Sequence, residues 1–244
     1  MTDVDLTELP PPRTYRTLTV IVPVFNERTT VAEVIRRMRS VELPVELQII
    51  AVDDGSSDGS DKVLAALEDS TMRLLRHAQN QGKGAAIRTG LAEARGDLVL
   101  IQDADLEYDP NDWPKLLAPI LSGKARVVYG SRFTGERKNM LPMHWMGNRL
   151  LSLVTNILYS STLSDMETCY KVFDAEVIRG MTVVSNKFDF EPEITAKVLR
   201  RGHRIYEVPI SYAGREHDEG KKITWRDGFG AMRALIKFRF TKEF

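Results

Sequence analysis

The chain has 244 residues, of which 43% are hydrophobic, enough to bury one sizeable core in one domain or in one domain with an appendage. Its 34 Lys and Arg residues balance 34 Asp and Glu residues, so no global field draws it to nucleic acid and any cationic site must be local. The single cysteine, Cys169, excludes an internal disulfide, and the four histidines give no zinc-site spacing. This composition fits a reducing cytoplasm.

The N-terminal residues 1–16 are polar, contain prolines and lack the apolar centre of a signal peptide. We therefore predict a disordered lead-in there. The best apolar stretch, 150–159, falls short of the roughly 18 residues of a membrane span. The sequence predicts a protein that lies on a bilayer at most and does not cross it.

In chain order, short apolar runs alternate with helical patterns through the first half. Strands are predicted over 19–22, 47–52, 72–76, 97–102 and 127–129, and helices over 30–39, 58–67, 84–94 and from about 111. This alternation predicts an α/β fold with a largely parallel sheet covered by helices on both faces. Ligands of such sheets bind beyond the carboxyl ends of the strands.

The second half has longer helical patterns, over 148–159, 190–201 and 225–240, with one predicted strand over 205–212. No proline- or glycine-rich linker separates the halves. We predict one domain over 17–240, made of a first half (17–130) and a second half (131–240).

An acidic run follows the predicted strand 97–102: Asp103, Asp105 and Glu107 alternate with other residues. In an extended backbone these three side chains project to one side, where their charges repel one another unless a cation lies between them. Hard oxygen ligands select Mg²⁺ or Mn²⁺, and such ions keep open positions for substrate phosphates. The run predicts a metal and diphosphate site, with a solvated acidic turn as the alternative.

Further motifs occur at the other predicted strand ends. With the acidic run, the four in chain order are 22–27 (VPVFNE), 52–59 (VDDGSSDG), 80–84 (NQGKG) and 103–105 (DAD). This ordered set resembles the motifs of the family-2 glycosyltransferases, which have the GT-A fold. The resemblance implies a nucleotide-sugar half over 17–130 and an acceptor half over 131–240. Downstream, 130–133 (GSRF), 165–171 (DMETCYK), 190–193 (FEPE) and 208–212 (VPISY) resemble the dolichol- and polyprenyl-phosphate sugar synthases of that family. The likeness extends from about residue 17 to about 238.

The resemblance implies a donor site for a nucleotide-diphospho-sugar. Its implied contacts are Pro23, Phe25, Glu27, Val52, Asp54, Lys83, Gln102, Asp103, Ala104 and Asp105. Glu27 and Asp54 would accept hydrogen bonds from the base and ribose, and Lys83 would meet phosphate oxygens together with backbone amides. The structural alternatives are a first-turn helix acid for Glu27, a turn former for Asp54 and a solvated loop lysine for Lys83.

The metal ligands implied are Asp103, Asp105 and Glu107, and Asp105 is also a predicted catalytic residue. Arg132, the second predicted catalytic residue, joins Arg215, Lys221 and Lys222 in a cationic cradle for an acceptor phosphate. Three acids, Asp165, Glu191 and Glu193, are predicted to orient the sugar or the acceptor. The alternatives are solvated surface cations, and helix-start acids for the two glutamates.

Together these residues predict a metal-dependent, inverting hexosyltransferase that acts on polyprenyl or dolichyl phosphate in cell-envelope synthesis. UDP-glucose is the favoured donor and GDP-mannose the next, because 165–171 departs from the motif of typical mannose synthases. Other interpretations are a soluble or glycan acceptor, or a catalytically silent regulator that binds nucleotide sugars. Peripheral attachment to the inner face of the membrane is expected through 145–159 and the amphipathic final helix, whose apolar face can instead pack on the domain.

Overall fold

The structure is a computed structural model that describes residues 13–138, 142–214 and 225–241. Its strands are β1 (Thr17–Val24), β2 (Glu46–Asp53), β3 (Met72–Arg76), β4 (Leu98–Ile101), β5 (Val127–Ser131), β6 (Arg137–Lys138), β7 (Lys171–Asp174), β8 (Tyr206–Pro209) and β9 (Tyr212–Ala213). Its helices are α1 (Val31–Ser40), α2 (Ser60–Leu67), α3 (Lys83–Glu93), α4 (Trp113–Leu121), α5 (Pro142–Tyr159), α6 (Ala175–Ile178), α7 (Phe190–Arg200) and α8 (Trp225–Phe240).

Seven strands form the central sheet in the order β3-β2-β1-β4-β7-β5-β8. Neighbouring strands run parallel except at β7, which is antiparallel to both β4 and β5. β6 and β9 pair separately as a two-stranded parallel ribbon. The predicted α/β fold with a mostly parallel sheet is confirmed. The sequence pattern missed β7 of the central sheet and β6 of the ribbon.

Helices cover the sheet with faces that the sequence spacing specifies. On α1 the buried residues Val31, Val34, Ile35 and Met38 recur every three or four positions, which forms one apolar stripe. On α3 small residues face the sheet, and a Cβ atom at Gly90 would press into the side chain of Ile21. Small residues therefore let α3 lie close over the central strands.

The lead-in differs from its prediction where the structure describes it. Residues 1–12 lie outside the described residues, but Arg13 pairs with Asp174 at 2.9 Å, and the amide of Arg16 donates to Asp97 at 2.7 Å. These contacts order 13–16 against the edge of the core, so disorder was a wrong prediction for those four residues.

The C-terminal helix α8 packs on the domain through one face. Leu235 belongs to a buried cluster with Leu151 of α5 and Met166, and Phe238 packs with Ala196 of α7. In the described ranges, no helix has both the length and the apolar character needed to cross a bilayer.

Candidate active site

The loops that follow β1 and β2 are joined by backbone hydrogen bonds. The amide of Asn26 donates to Ser56 Oγ at 3.0 Å, and the amide of Ser57 donates back to Asn26 Oδ1 at 2.9 Å. Asn26 has a φ of 52°, a left-handed conformation that asparagine tolerates better than most residues. Both loops are thus preorganised at the carboxyl edge of the sheet, where a ligand of this fold class binds.

Glu27 lies four residues before the start of α1 and is largely buried. Its amide donates to Ser60 Oγ at 2.9 Å, and its Oε2 accepts from Thr30 Oγ1 at 2.9 Å. Glu27 is therefore not an acid of the first helical turn, a position that Glu33 occupies, and its nucleoside contact stays a prediction. Pro23 and Phe25 lie nearby in the chain and are only partly buried, which leaves them surface for a ligand.

Asp54 holds the loop before α3 in place. Its carboxylate accepts from the amides of Gln81 at 2.9 Å and Gly82 at 2.7 Å, and lies 2.6 Å from His77 Nδ1. These contacts occupy the backbone amides that were expected to meet phosphate. The structure therefore gives Asp54 an anchoring position, and its nucleotide contact stays a prediction.

Two predicted nucleotide contacts have side chains inside the core. Val52 is fully buried and clusters with Ala86 of α3. Gln102 is also fully buried, and its Oε1 accepts from Tyr170 Oη at 2.6 Å and from Trp113 Nε1 at 3.2 Å. Neither side chain has surface for a ligand in this structure, because core packing and buried hydrogen bonds occupy both.

The end of β4 brings together charged groups from three parts of the chain. The Lys83 ammonium lies 2.9 Å from Asp103 Oδ1 and 3.1 Å from Glu191 Oε1. Burial acts to lower the pKa of Lys83, but the negative charge of Asp103, helped by Glu191, outweighs it and holds that pKa well above its usual value. Lys83 is thus a fixed cation at the end of β4.

The acidic run after β4 does not converge as predicted. Asp105 Oδ1 accepts from the amide of Glu107 at 3.1 Å, and Glu107 Oε2 accepts from Tyr212 Oη at 2.9 Å. Between them Leu106 has a φ of 64°, a strained conformation for a leucine. In the part of the chain that the structure describes, no three His, Cys, Asp or Glu side chains are grouped to hold a metal. The predicted three-carboxylate cage is therefore absent there, because Tyr212 engages Glu107.

The remaining carboxylates still suit a divalent ion in another way. Mg²⁺ is usually bound by one or two carboxylates together with substrate phosphates rather than by a protein cage. Asp103 and Asp105 carry hard oxygen ligands and are separated by one residue just after β4. Both side chains are partly exposed. Ala104 between them is buried, which turns the two acids outward.

Arg132, at the end of β5, is engaged by Asp165. Its Nε and Nη2 donate to the two carboxylate oxygens at 2.7 and 2.8 Å, and its amide donates to the same group at 3.0 Å. The Arg132 side chain is 9% exposed and that of Asp165 is fully buried. The structure thus pairs a predicted phosphate ligand with a predicted sugar contact. The other predicted cradle cations, Arg215, Lys221 and Lys222, lie outside the described residues.

The two glutamates of α7 have different surroundings. Glu193 is fully buried and accepts from the amides of Val184 at 2.9 Å and Ser185, and from Lys197. These contacts favour a structural role for Glu193 in place of the predicted sugar contact. Glu191 instead faces Lys83, which also contacts Asp103.

Sequence reasoning passed over Glu167 and Thr168, although both lie inside the motif 165–171. Glu167 Oε1 and Thr168 Oγ1 are buried with no hydrogen-bond partner in the structure. Native proteins leave few buried polar groups unpaired. Glu167 is the second acid of this motif, two residues after Asp165, and that spacing was the available signal.

The backbone matches those of solved glycosyltransferases of the GT-A fold. A structure of glucosyl-3-phosphoglycerate synthase from Mycobacterium tuberculosis with Mn²⁺, UDP and phosphoglyceric acid superposes with a TM-score of 0.71, covering 93% of this chain and 80% of that one at 20% identity. Mannosyl-3-phosphoglycerate synthase from Rubrobacter xylanophilus superposes with a TM-score of 0.72, covering 91% of this chain and 73% of that one at 22% identity. The fold is therefore GT-A, as the motifs predicted.

The chain belongs to the glycosyl transferase family 2, whose model matches residues 19–180. Among similar proteins, a low-salt glycan biosynthesis hexosyltransferase, Agl6, from Haloferax volcanii is 29% identical over 90% of this chain and 53% of the relative. A dodecaprenyl-phosphate galacturonate synthase from Rhizobium johnstonii is 28% identical over 84% of this chain and 61% of the relative. An undecaprenyl-phosphate 4-deoxy-4-formamido-L-arabinose transferase from Pseudomonas fluorescens is 29% identical over 84% of this chain and 60% of the relative. This chain spans between half and two thirds of the length of these relatives.

Proposed function

We propose that this chain is a metal-dependent, inverting hexosyltransferase that moves a sugar from a nucleotide-diphospho-sugar to polyprenyl phosphate. The observation that carries the proposal is the grouping at the end of β4, where Asp103 contacts Lys83 and Lys83 contacts Glu191. Asp105 follows Asp103 by two residues in the same partly exposed run. Family membership and relatives named for polyprenyl-phosphate acceptors support the same activity.

Asp103 and Asp105 are the residues proposed to hold the divalent ion, Mg²⁺ or Mn²⁺. When bound, the ion supplies neutralisation of the charge that builds up on a departing diphosphate. Lys83 adds a fixed positive charge at the same place, and Asp103 and Glu191 keep its ammonium oriented. The interlocked loops after β1 and β2, with Glu27 and Phe25, are proposed to hold the nucleoside.

The acceptor is proposed to attack through an oxygen that is already ionised near neutral pH when it belongs to a lipid phosphate. A strong general base is then unnecessary, and cations that hold the phosphate take its place. Arg215 and Lys221 are proposed for this role. A single displacement inverts the anomeric carbon, so an α-linked donor would give a β-linked lipid phosphate.

A soluble phosphorylated acceptor is the second candidate. The structural neighbours from Mycobacterium tuberculosis and Rubrobacter xylanophilus are named for phosphoglycerate products, and they share the fold over nine tenths of this chain. Both candidates use an anionic acceptor, and lipid dependence of the transfer separates them.

Attachment to the inner face of the membrane is proposed through α5. Five of its apolar side chains are each more than half exposed and recur every three or four positions, forming one stripe: Met143, Met146, Leu150, Leu153 and Ile157. Phe229 and Phe240 of α8 are also exposed. A contiguous apolar surface of this kind marks an interaction site.

The proposed function is tested by a donor-by-acceptor screen. Purified protein with Mg²⁺ or Mn²⁺ is given UDP-glucose or GDP-mannose, with polyprenyl phosphate or 3-phosphoglycerate, and products are identified by mass spectrometry and NMR. The proposal expects a β-linked sugar-phospholipid that requires the metal, with UDP-glucose the better donor. Transfer only to the soluble acceptor, or nucleotide binding without any transfer, would contradict it.

A further inference from the structure

Two glutamates in the candidate site have buried carboxylate oxygens that contact no hydrogen-bond donor in the structure. They are Glu167 Oε1 and Glu191 Oε2, and the neighbouring Thr168 Oγ1 shares this property. A buried acceptor left unpaired destabilises the folded protein, so a native structure keeps such groups where a ligand satisfies them. Glu191 is 4% exposed, and its other oxygen contacts Lys83.

Both glutamates are held by surrounding structure. Lys171 is fully buried, and its ammonium donates to the carbonyls of Met166 at 3.1 Å and of Thr168, which fixes the turn that carries Glu167. Glu191 is the second residue of α7, and its ion pair with Lys83 ties it to the acids after β4. The two carboxyl groups are thus preorganised beside the proposed diphosphate position.

The charges around Glu167 come from four groups. Glu191 and Asp165 are negative, and Lys171 and Arg132 are positive. Burial raises the pKa of Glu167 to about 8, and the negative charge of Glu191 adds to that shift against the two cations. At neutral pH Glu167 therefore keeps its proton, so that the pair offers one donor and several acceptor positions.

Sugar hydroxyls match this arrangement, since each hydroxyl both donates and accepts a hydrogen bond. A carboxylate on the sugar does not match it, because a second negative charge beside Glu191 would be repelled. We infer that Glu167 and Glu191 form a hydroxyl-binding pair that positions the transferred sugar and selects neutral hexoses over hexuronates. This inference rests on the proposed function and adds Glu167 to the site.

The test is calorimetric binding in the presence of Mg²⁺, comparing UDP-glucose with UDP and GDP-mannose with GDP. The wild type is expected to bind one of these nucleotide sugars more tightly than its nucleoside diphosphate. Glu167→Ala should reduce that difference by about 10-fold while the affinity for the diphosphate itself stays the same. Glu191→Gln should reduce the difference by a similar factor and should also change the affinity for the diphosphate, because Glu191 contacts Lys83. Glu167→Gln should keep the difference at pH 7, because glutamine carries a donor and an acceptor as the protonated acid does.

Glu193→Gln is the matched control, with the same substitution on the same helix in an equally buried setting. This variant should lower the melting temperature without changing the difference in affinity between the nucleotide sugar and its nucleoside diphosphate. UDP-glucuronate should bind the wild type no more tightly than UDP, and Glu191→Gln should narrow this discrimination. If Glu191→Gln does not fold, Glu167→Ala carries the test, since Glu167 lies in a partly exposed turn.

The hydroxyl-binding role of Glu167 and Glu191 is refuted if folded variants of both residues keep the full affinity difference between nucleotide sugar and nucleoside diphosphate. It is also refuted if the wild type binds UDP-glucuronate as tightly as UDP-glucose. Wild-type transfer to polyprenyl phosphate alongside either result would leave the proposed function standing and reject only the pair. Absence of any nucleotide binding by the wild type would reject both.

Discussion

At the scale of single residues, Asp105 is the side chain on which the proposed chemistry depends most directly. Asp105→Asn removes a charged metal ligand and should lower kcat by at least about 100-fold, because lost stabilisation of the leaving diphosphate is worth several kcal/mol. The measurement is the initial rate of sugar-phospholipid formation at saturating donor and Mg²⁺. The control is Asp109→Asn, which alters a carboxylate that accepts from the Asn111 amide at 3.0 Å. A decrease of only a few fold for Asp105→Asn would refute its assignment.

Arg132 is buried against Asp165, so its substitution affects stability as well as activity. Arg132→Ala leaves the Asp165 carboxylate unpaired in the interior and should lower the free energy of unfolding by about 3–5 kcal/mol in urea titrations. Arg36→Ala, which breaks an exposed pair with Glu33, should have little effect. If Arg132→Ala unfolds at the same urea concentration as the wild type, the buried pair does not hold this region.

Because of that pairing, lost activity in Arg132→Ala would not by itself identify an acceptor ligand. The acceptor phosphate is better probed at Arg215, where the lysine variant tests whether bidentate contact is needed.

Glu167 makes stability depend on pH. Its pKa is about 8 in the folded protein, above the ordinary value of 4.5, so the native state holds the proton more strongly than the unfolded chain does. The stabilisation is fully present below about pH 4.5 and is lost as the pH rises toward 8. Glu167→Gln should flatten the decline in unfolding free energy between pH 5 and 8 that the wild type shows, measured by urea titrations across that range. An unchanged slope would show that Glu167 is already ionised.

At the scale of elements, the start of α3 is pressed against the segment before α7. A Cβ atom at Gly84 would overlap with the carbonyl of Ser185, and the amide of Ala85 donates to Asn186 at 3.1 Å. Gly84→Ala should therefore destabilise the protein by about 1–3 kcal/mol and weaken nucleotide-sugar binding, because the clash moves the neighbouring Lys83.

The matched control is Gly147→Ala on α5, where an added Cβ meets nothing within 4 Å. It should stabilise the protein by up to about 1 kcal/mol, since alanine favours helix more than glycine does. Equal stability of the two alanine variants in urea titrations would show that the contact between α3 and 185–186 can relax.

At the scale of the whole molecule, the exposed apolar stripe of α5 defines the face proposed to meet the membrane. The double substitution Leu150→Ser and Leu153→Ser should reduce co-sedimentation with anionic phospholipid vesicles several-fold without lowering the melting temperature, because both side chains are more than half exposed. Val184→Ser with Tyr206→Ser removes exposed apolar surface outside α5 and α8 and serves as the control. Equal vesicle binding by both double variants would place the membrane contact elsewhere.

The alternation of apolar runs and helical patterns was enough to predict six of the seven strands of the central sheet. The ends of β2, β3 and β4 and of the helix over Phe190–Arg200 were predicted to within one residue. Such elements can be predicted because the periodic spacing of apolar residues that defines them lies within one short segment of the chain. β7 escaped because Lys171 and Asp174 at its ends look exposed in sequence, whereas in the fold Lys171 is buried under a turn whose carbonyls accept from it. The order of motifs at strand ends also determined the family and the GT-A fold.

The sequence by itself could name the charged residues of the site but not their partners. Asp103 was predicted to face two other acids, and the tertiary structure gave it Lys83, while Tyr212 took Glu107. Arg132 and Asp165 were expected to meet substrate and instead meet each other. Pairing of charges depends on distances between segments remote in the chain, and only the packing of β4, α3 and α7 sets those distances. The same packing leaves Glu167 Oε1 and Glu191 Oε2 without protein donors, an outcome that local sequence does not encode.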